Sequence, residues 1–156
     1  MSFARLVDRI KEGLAPSPSQ TQPSHEERLR LATAAVLLDI AYADGSFTPA
    51  EGGNVVDFLQ RTFALGTDDA RELIEAAAEI RDHTIDHFAM TNYIRKNVAL
   101  DERIEIVKTM WRTAYADGRL SEHENYLVRK LADLLGLEHH VMIDAKVSVL
   151  RELEAQ

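Results

Sequence analysis

The eleven residues Ala41-Tyr-Ala-Asp-Gly-Ser-Phe-Thr-Pro-Ala-Glu51 return as Ala114-Tyr-Ala-Asp-Gly-Arg-Leu-Ser-Glu-His-Glu124, displaced by 114 − 41 = 73 residues. The apolar pattern repeats on either side, pairing Leu37 with Met110, Leu38 with Trp111, Val55 with Val128 and Phe58 with Leu131. Each copy is one supersecondary unit that cannot bury its apolar face alone, so the repeat constrains the chain to two units packed together.

The repeated motif reads as helix, loop, helix. Gly45 and Gly118 stand where a helix stops and the chain turns, a place where glycine adopts φ > 0 cheaply. Phe47 and Leu120 are expected to pin the two loops to the core. Thr48-Pro-Ala-Glu51 and Ser121-Glu-His-Glu124 then open the next helix as capping boxes, with the hydroxyl accepting from a first-turn amide and the glutamate reaching back. Asp44 and Asp117 are not explained in this way. Each falls in the last turn of a helix, where a carboxylate meets the negative end of the macrodipole at a cost of about 0.3–1 kcal/mol. Two readings stay open for them: an Asx-type bond to loop amides, or a cation shared with other carboxylates.

Helix signals fill the rest of the chain, and nothing strand-like lies between them. Ser24-His-Glu-Glu27 is a further capping box, opening a helix that runs to Ala43. More helices are expected at 49–64, 68–81, 86–97, 101–116, 122–135 and 140–152. The fold class is therefore all-α, a compact bundle of about seven helices built on the duplicated helix-loop-helix unit, and Trp111 and Phe58 are expected in its core. Before it, Phe3, Leu6, Val7, Ile10 and Leu14 line one side of a short amphipathic helix over 1–14, with Arg5, Asp8, Arg9, Lys11 and Glu12 on the other. Residues 15–24 hold three prolines and almost nothing apolar, which makes them a linker; 25–156 form the helical domain. With three basic and two acidic residues, the first helix is a poor membrane anchor and reads as a protein-docking element.

Composition removes several functions. The formal charge of −8 and pI of about 5.2 argue against nucleic acid, whose phosphates call for a basic face. Having no cysteine, the chain has no disulfide, thiolate nucleophile, Cys-based zinc site or iron–sulfur ligation. No apolar run approaches the roughly 20 residues that span a bilayer, and the N-terminus has no secretory signal pattern. A cytoplasmic protein is expected.

The candidate chemistry is thin. Asp44 to Glu51 and Asp117 to Glu124 fit the second half of an EF-hand loop, but the first-half ligand positions hold Ile40 and Tyr42 in one copy and Thr113 and Tyr115 in the other. Calcium takes 6–8 oxygen ligands, which neither copy supplies, so neither is an EF-hand. His83 and His87 are read as solvated residues flanking a helix start at Thr84, and His139-His140 similarly. No nucleophile, phosphate loop or catalytic spacing stands out, and Gly52-Gly53 lies inside a helical segment where it loosens the helix or allows close packing. An enzyme is not expected.

The doubled Ala-x-Ala-Asp-Gly motif with its Ser/Thr-x-x-Glu start resembles the TerB family, over about 26–152. Arg103, Trp111 and Leu134-Leu-Gly-Leu137 bring it nearer a bacterial TerB-like branch than the tellurite-operon protein itself. The resemblance implies the seven-helix bundle, and it implies acidic clusters for divalent cations, calcium or magnesium, in which Asp44, Glu51, Asp117 and Glu124 take part. It also implies a role in tellurite or stress response beside membrane-associated partners, which would seat the protein peripherally at the inner membrane. Similar domains accompany J-domains, but no His-Pro-Asp tripeptide is present here. Two functions follow as expectations: an interaction module presenting acidic surface to protein partners, or a dedicated divalent-cation-binding or sensing protein.

Overall fold

The computed structural model describes residues 25–43, 49–83, 87–116 and 120–155. They form seven helices and no strand: α1 (His25–Ala41), α2 (Pro49–Phe63), α3 (Thr67–His83), α4 (His87–Asn97), α5 (Leu100–Ala114), α6 (Glu122–Leu134) and α7 (His139–Glu154). The predicted amphipathic helix, the Pro-rich linker, Ser24, Phe47 and Thr84 lie outside the described residues. No described helix is long and apolar enough to cross a membrane.

Helix α1 is the axle of the bundle. From Leu31 to Ala41 every residue is buried, the polar Thr33 and Asp39 included, because α1 packs against α2, α3, α4, α5 and α6 in turn. Helix α5 is the second hub, touching α1, α2, α6 and α7. The residues paired by the repeat occupy equivalent core sites: Leu37 and Met110, Leu38 and Trp111, and Val55 and Val128 are all fully buried. Leu120 is half-buried against the same core.

The duplication is larger than the helix-loop-helix unit. Helix α3 packs on α1 and α7 packs on α5, and their buried positions keep the same spacing, Ala70, Leu73 and Ala77 matching Met142, Ala145 and Val149 at 142 − 70 = 72 residues. Three helices, α1–α3, are thus repeated as α5–α7, and α4 is inserted before the second copy. The copies even end their middle helices alike. Ala64 has φ 53° and Gly136 φ 82°; Leu65 N donates to Gln60 O at 3.1 Å and Leu137 N to Ala132 O at 3.1 Å. That is the bond from C″ to C3 of a Schellman ending, completed in the second copy by Gly136 N to Asp133 O at 2.9 Å.

One arginine pair follows the repeat and diverges in use. Arg103 donates from Nε to Val98 O (3.1 Å) and from Nη1 to Leu135 O (2.7 Å), tying the ends of α4 and α6 together. An added Cβ on Gly136 would stand 2.8 Å from that Nη1 and 2.9 Å from Arg95 Cδ, so a side chain there would push both arginines aside and strain the backbone at φ 82°. The equivalent of Arg103, Arg30, lies over the ring of Phe63, 5.7 Å from the centroid, and Phe63, just before Ala64, stands where the second copy has Leu135, just before Gly136.

Candidate functional site

The two repeated loops leave their helices identically. Tyr42 N donates to Leu38 O (2.9 Å) and Ala43 N to Ile40 O (3.1 Å); at the equivalent places Tyr115 N donates to Trp111 O (3.0 Å) and Ala116 N to Thr113 O (3.2 Å). The i to i−3 bond of each pair tightens the last turn, which is why the first helix stops at Ala41 rather than at the Ala43 expected from its pattern. Beyond these turns Asp44, Gly45, Thr48, Asp117 and Gly118 lie outside the described residues. Glu51 lies in the first turn of α2, but its side chain is outside them as well.

Ser121 and Glu124 are described, and they form the capping box. Ser121 Oγ accepts from Glu124 N at 3.0 Å and Glu124 Oε1 accepts from Ser121 N at 3.2 Å. Glu124 is only 4% exposed, so this carboxylate is committed to the start of α6. Among the described residues, no group of three or more His, Asp and Glu stands close enough to hold a metal ion. His83 ends α3 and His87 begins α4, so the two do not share a helix face.

Trp111, just before the second loop, is fully buried. Lys146 Nζ stands 4.9 Å from its ring centroid and is 3.4 Å from Asn125 Oδ1. Tyr115 packs 6.4 Å from the same ring, and burial raises its phenol pKa above the ordinary value. On the outer face of α5, Arg112 makes a two-pronged ion pair with Glu152, at 2.6 and 3.0 Å. The hydrogen bond from Arg112 holds the Glu152 carboxyl below its usual range. On the other side of the bundle, Tyr93 Oη sits 2.8 Å from His25 Nδ1 and binds α4 to the start of α1.

Two clefts lined by described residues are wide enough for a ligand. One, of about 410 Å³, lies between α6 and α7; Arg129, Lys130 and His139 line it, with Asp133 among them to offset their charge, and Tyr126 is at its edge. The other, of about 380 Å³, opens where α1, α2 and α5 meet. Leu29, Phe58, Phe63, Val98 and Ile106 make its apolar wall, and Asp101, Glu102 and Glu105 from the start of α5 line its rim. All three carboxylates are exposed. Among the described residues no basic side chain lines this cleft; Lys108 pairs with Glu105 at 3.4 Å and Arg30 lies over the Phe63 ring, so Asp101 and Glu102 carry the negative excess above an apolar wall, a combination that suits a basic amphipathic helix. Sequence reasoning passed over it. The acids were visible as a helix-start signature favoured by the macrodipole, and only the fold brings Phe58 and Phe63 beside them.

In comparisons with known proteins, the family model described as Tellurite resistance protein TerB matches residues 30–147. No curated protein and no solved structure matches.

Proposed function

Because the chain belongs to the TerB family, we propose that it is a non-enzymatic interaction module of a tellurite or stress response, presenting acidic surface to basic protein partners in the cytoplasm, beside the inner membrane. The observation that carries this reading is the cleft of α1, α2 and α5, an apolar wall under Asp101, Glu102 and Glu105. An apolar groove supplies affinity through buried area, and a one-sign rim supplies selection and faster encounter. The reading also draws on where perturbed groups lie. Among the described residues, Tyr93, Tyr115, Arg112 and Glu152 carry the shifted proton affinities, and none of them lines either cleft. Catalytic sites, by contrast, gather such groups in a pocket.

The test is calorimetric titration of the full chain with a synthetic helix carrying leucines at i, i+3, i+4 and i+7 bordered by lysines, beside a twin bordered by glutamates. The lysine peptide is expected to bind, to weaken as salt rises, and to lose its binding to Asp101→Lys/Glu102→Lys/Glu105→Lys. Equal binding of both peptides, or binding of neither, overturns the reading.

A further inference from the structure

The duplication assigns a seat to the segment that precedes it. Helix α4 enters directly before the second copy and packs on α1 and α6. Under the repeat, α1 corresponds to α5 and α6 to α2. A segment entering before the first copy therefore has its equivalent seat against α5 and α2, with α1 beside it. That seat is the acidic-rimmed cleft, whose lining comes from those three helices and from Val98 at the end of α4. The segment entering before the first copy is the apolar-striped 2–14.

We propose that residues 2–14 of this chain fill the cleft as a helix, with Phe3, Leu6, Val7, Ile10 and Leu14 against its apolar wall and Arg9 and Lys11 on its acidic rim. The inference rests on the same cleft as the interaction reading and adds the cleft's resident occupant. Charge supports it. At about 3.6 residues per turn the charged residues nearest the apolar stripe are Lys11 on one side and Arg9 on the other, while Asp8 and Glu12 fall on the far face. Reach supports it as well. Leu29 stands four residues into α1, about 6 Å along its axis from His25. Residues 15–24 are ten in number, with a root-mean-square span of about 16–19 Å for a flexible chain and at most about 33–36 Å when extended. A helix of 13 residues is about 20 Å long, so the tether covers the cleft in either direction. The linker takes the place of the short Val98-Ala99 connection that seats α4. Tethering of this kind gives an effective concentration in the millimolar range, and an outside helix must displace the chain's own.

Because the chain has no cysteine, a nitroxide on Glu12→Cys, on the far face of the stripe, reports this placement in the full-length protein. The label is expected to broaden the amide signals of Thr62, Phe63, Glu102 and Ile106, to stop doing so when Arg9→Glu/Lys11→Glu is added, and to resume when Glu102→Lys accompanies that pair. A helix held only by apolar contact would not respond to the charge exchange. No broadening, or broadening centred elsewhere, overturns the proposal. So does broadening that appears only when labelled chains are mixed with isotope-labelled reporter chains, which makes the occupant a second copy. The lysine peptide separates the two readings: it should bind Arg9→Glu/Lys11→Glu about tenfold more tightly than wild type, since a bound-state competitor taxes apparent affinity. If the peptide binds both chains equally and the label finds nothing in the cleft, the interaction reading survives and the resident helix does not.

Discussion

The same exchange of alanine and glycine at two equivalent positions should move stability in opposite directions. Ala64 and Gly136 both follow a middle helix in the left-handed region, at φ 53° and φ 82°. An L-residue there costs about 1–2 kcal/mol, whereas glycine costs about 0.4–1 kcal/mol through the greater freedom of the unfolded chain. Ala64→Gly should therefore stabilise by about 0.5–1 kcal/mol, raising Tm by about 1–4 °C in a domain of this size. At Gly136 the backbone difference reverses, and the new Cβ would stand 2.8 Å from Arg103 Nη1. Moving that nitrogen breaks its 2.7 Å bond to Leu135 O, a charged hydrogen bond worth about 1.5–3 kcal/mol, so Gly136→Ala should cost about 2–4 kcal/mol. Trp111, the one tryptophan of the chain, is fully buried, and its fluorescence through urea unfolding reads both midpoints. Changes of the same sign, or an Ala64→Gly chain less stable than wild type, would refute the backbone account.

Ser121→Ala should cost about 1 kcal/mol in chemical denaturation by removing a hydroxyl cap, while Glu124→Gln, which keeps an acceptor for Ser121 N, should cost less; equal losses would mean that the charge of Glu124 serves something besides the box. Glu152 has its folded pKa lowered by the Arg112 hydrogen bond, so its contribution is complete above the ordinary carboxylate value and is lost as pH falls through the lowered one. With its side chain 44% exposed, that contribution is about 0.2–1 kcal/mol, and Glu152→Gln should flatten the acid limb of a Tm-against-pH profile by that amount; an unchanged limb removes the pair from the account. For the paired loops, chelator-treated wild type and Asp44→Asn/Asp117→Asn should be melted with Ca²⁺, Mg²⁺, Mn²⁺ or Zn²⁺. A site saturated at 100 times Kd would add about 2.7 kcal/mol to wild type alone, and on the interaction reading none of these ions does.

Much of the helical frame was legible because stop and start signals are local. Ser121 and Glu124 announce α6 within four residues, and from α1 to α7 the expected and observed helices differ only at their ends. The third repeated helix was not legible. At an offset of 72 not one residue of α3 is identical in α7; what is kept is a set of buried positions, Ala70, Leu73 and Ala77 against Met142, Ala145 and Val149. The acidic cleft was hidden for a different reason. Asp101 and Glu102 satisfy the macrodipole of α5 by themselves, so nothing local hints that Phe58 and Phe63 complete a surface with them.

The two halves differ in kind at this cleft. Arg30 and Arg103 are the same residue of the repeat, 103 − 30 = 73 positions apart. In the second half the bare backbone of Gly136 lets Arg103 reach Leu135 O, and Arg95 of α4 crowds the same glycine; that end of α6 is closed by the inserted helix. In the first half Ala64 occupies the glycine's position, and Phe63 just before it takes the guanidinium of Arg30 over its ring and joins the wall of the open cleft. Likewise Leu29 of that wall corresponds to Glu102 of the rim, 102 − 29 = 73, so one pair of repeat positions supplies an apolar and an acidic side to a single site. A duplication kept only for stability would have no reason to split this pair by polarity at the place where, among the described residues, α4 has no counterpart in the first half. The split is what a second helix, apolar on one side and basic at its borders, would require.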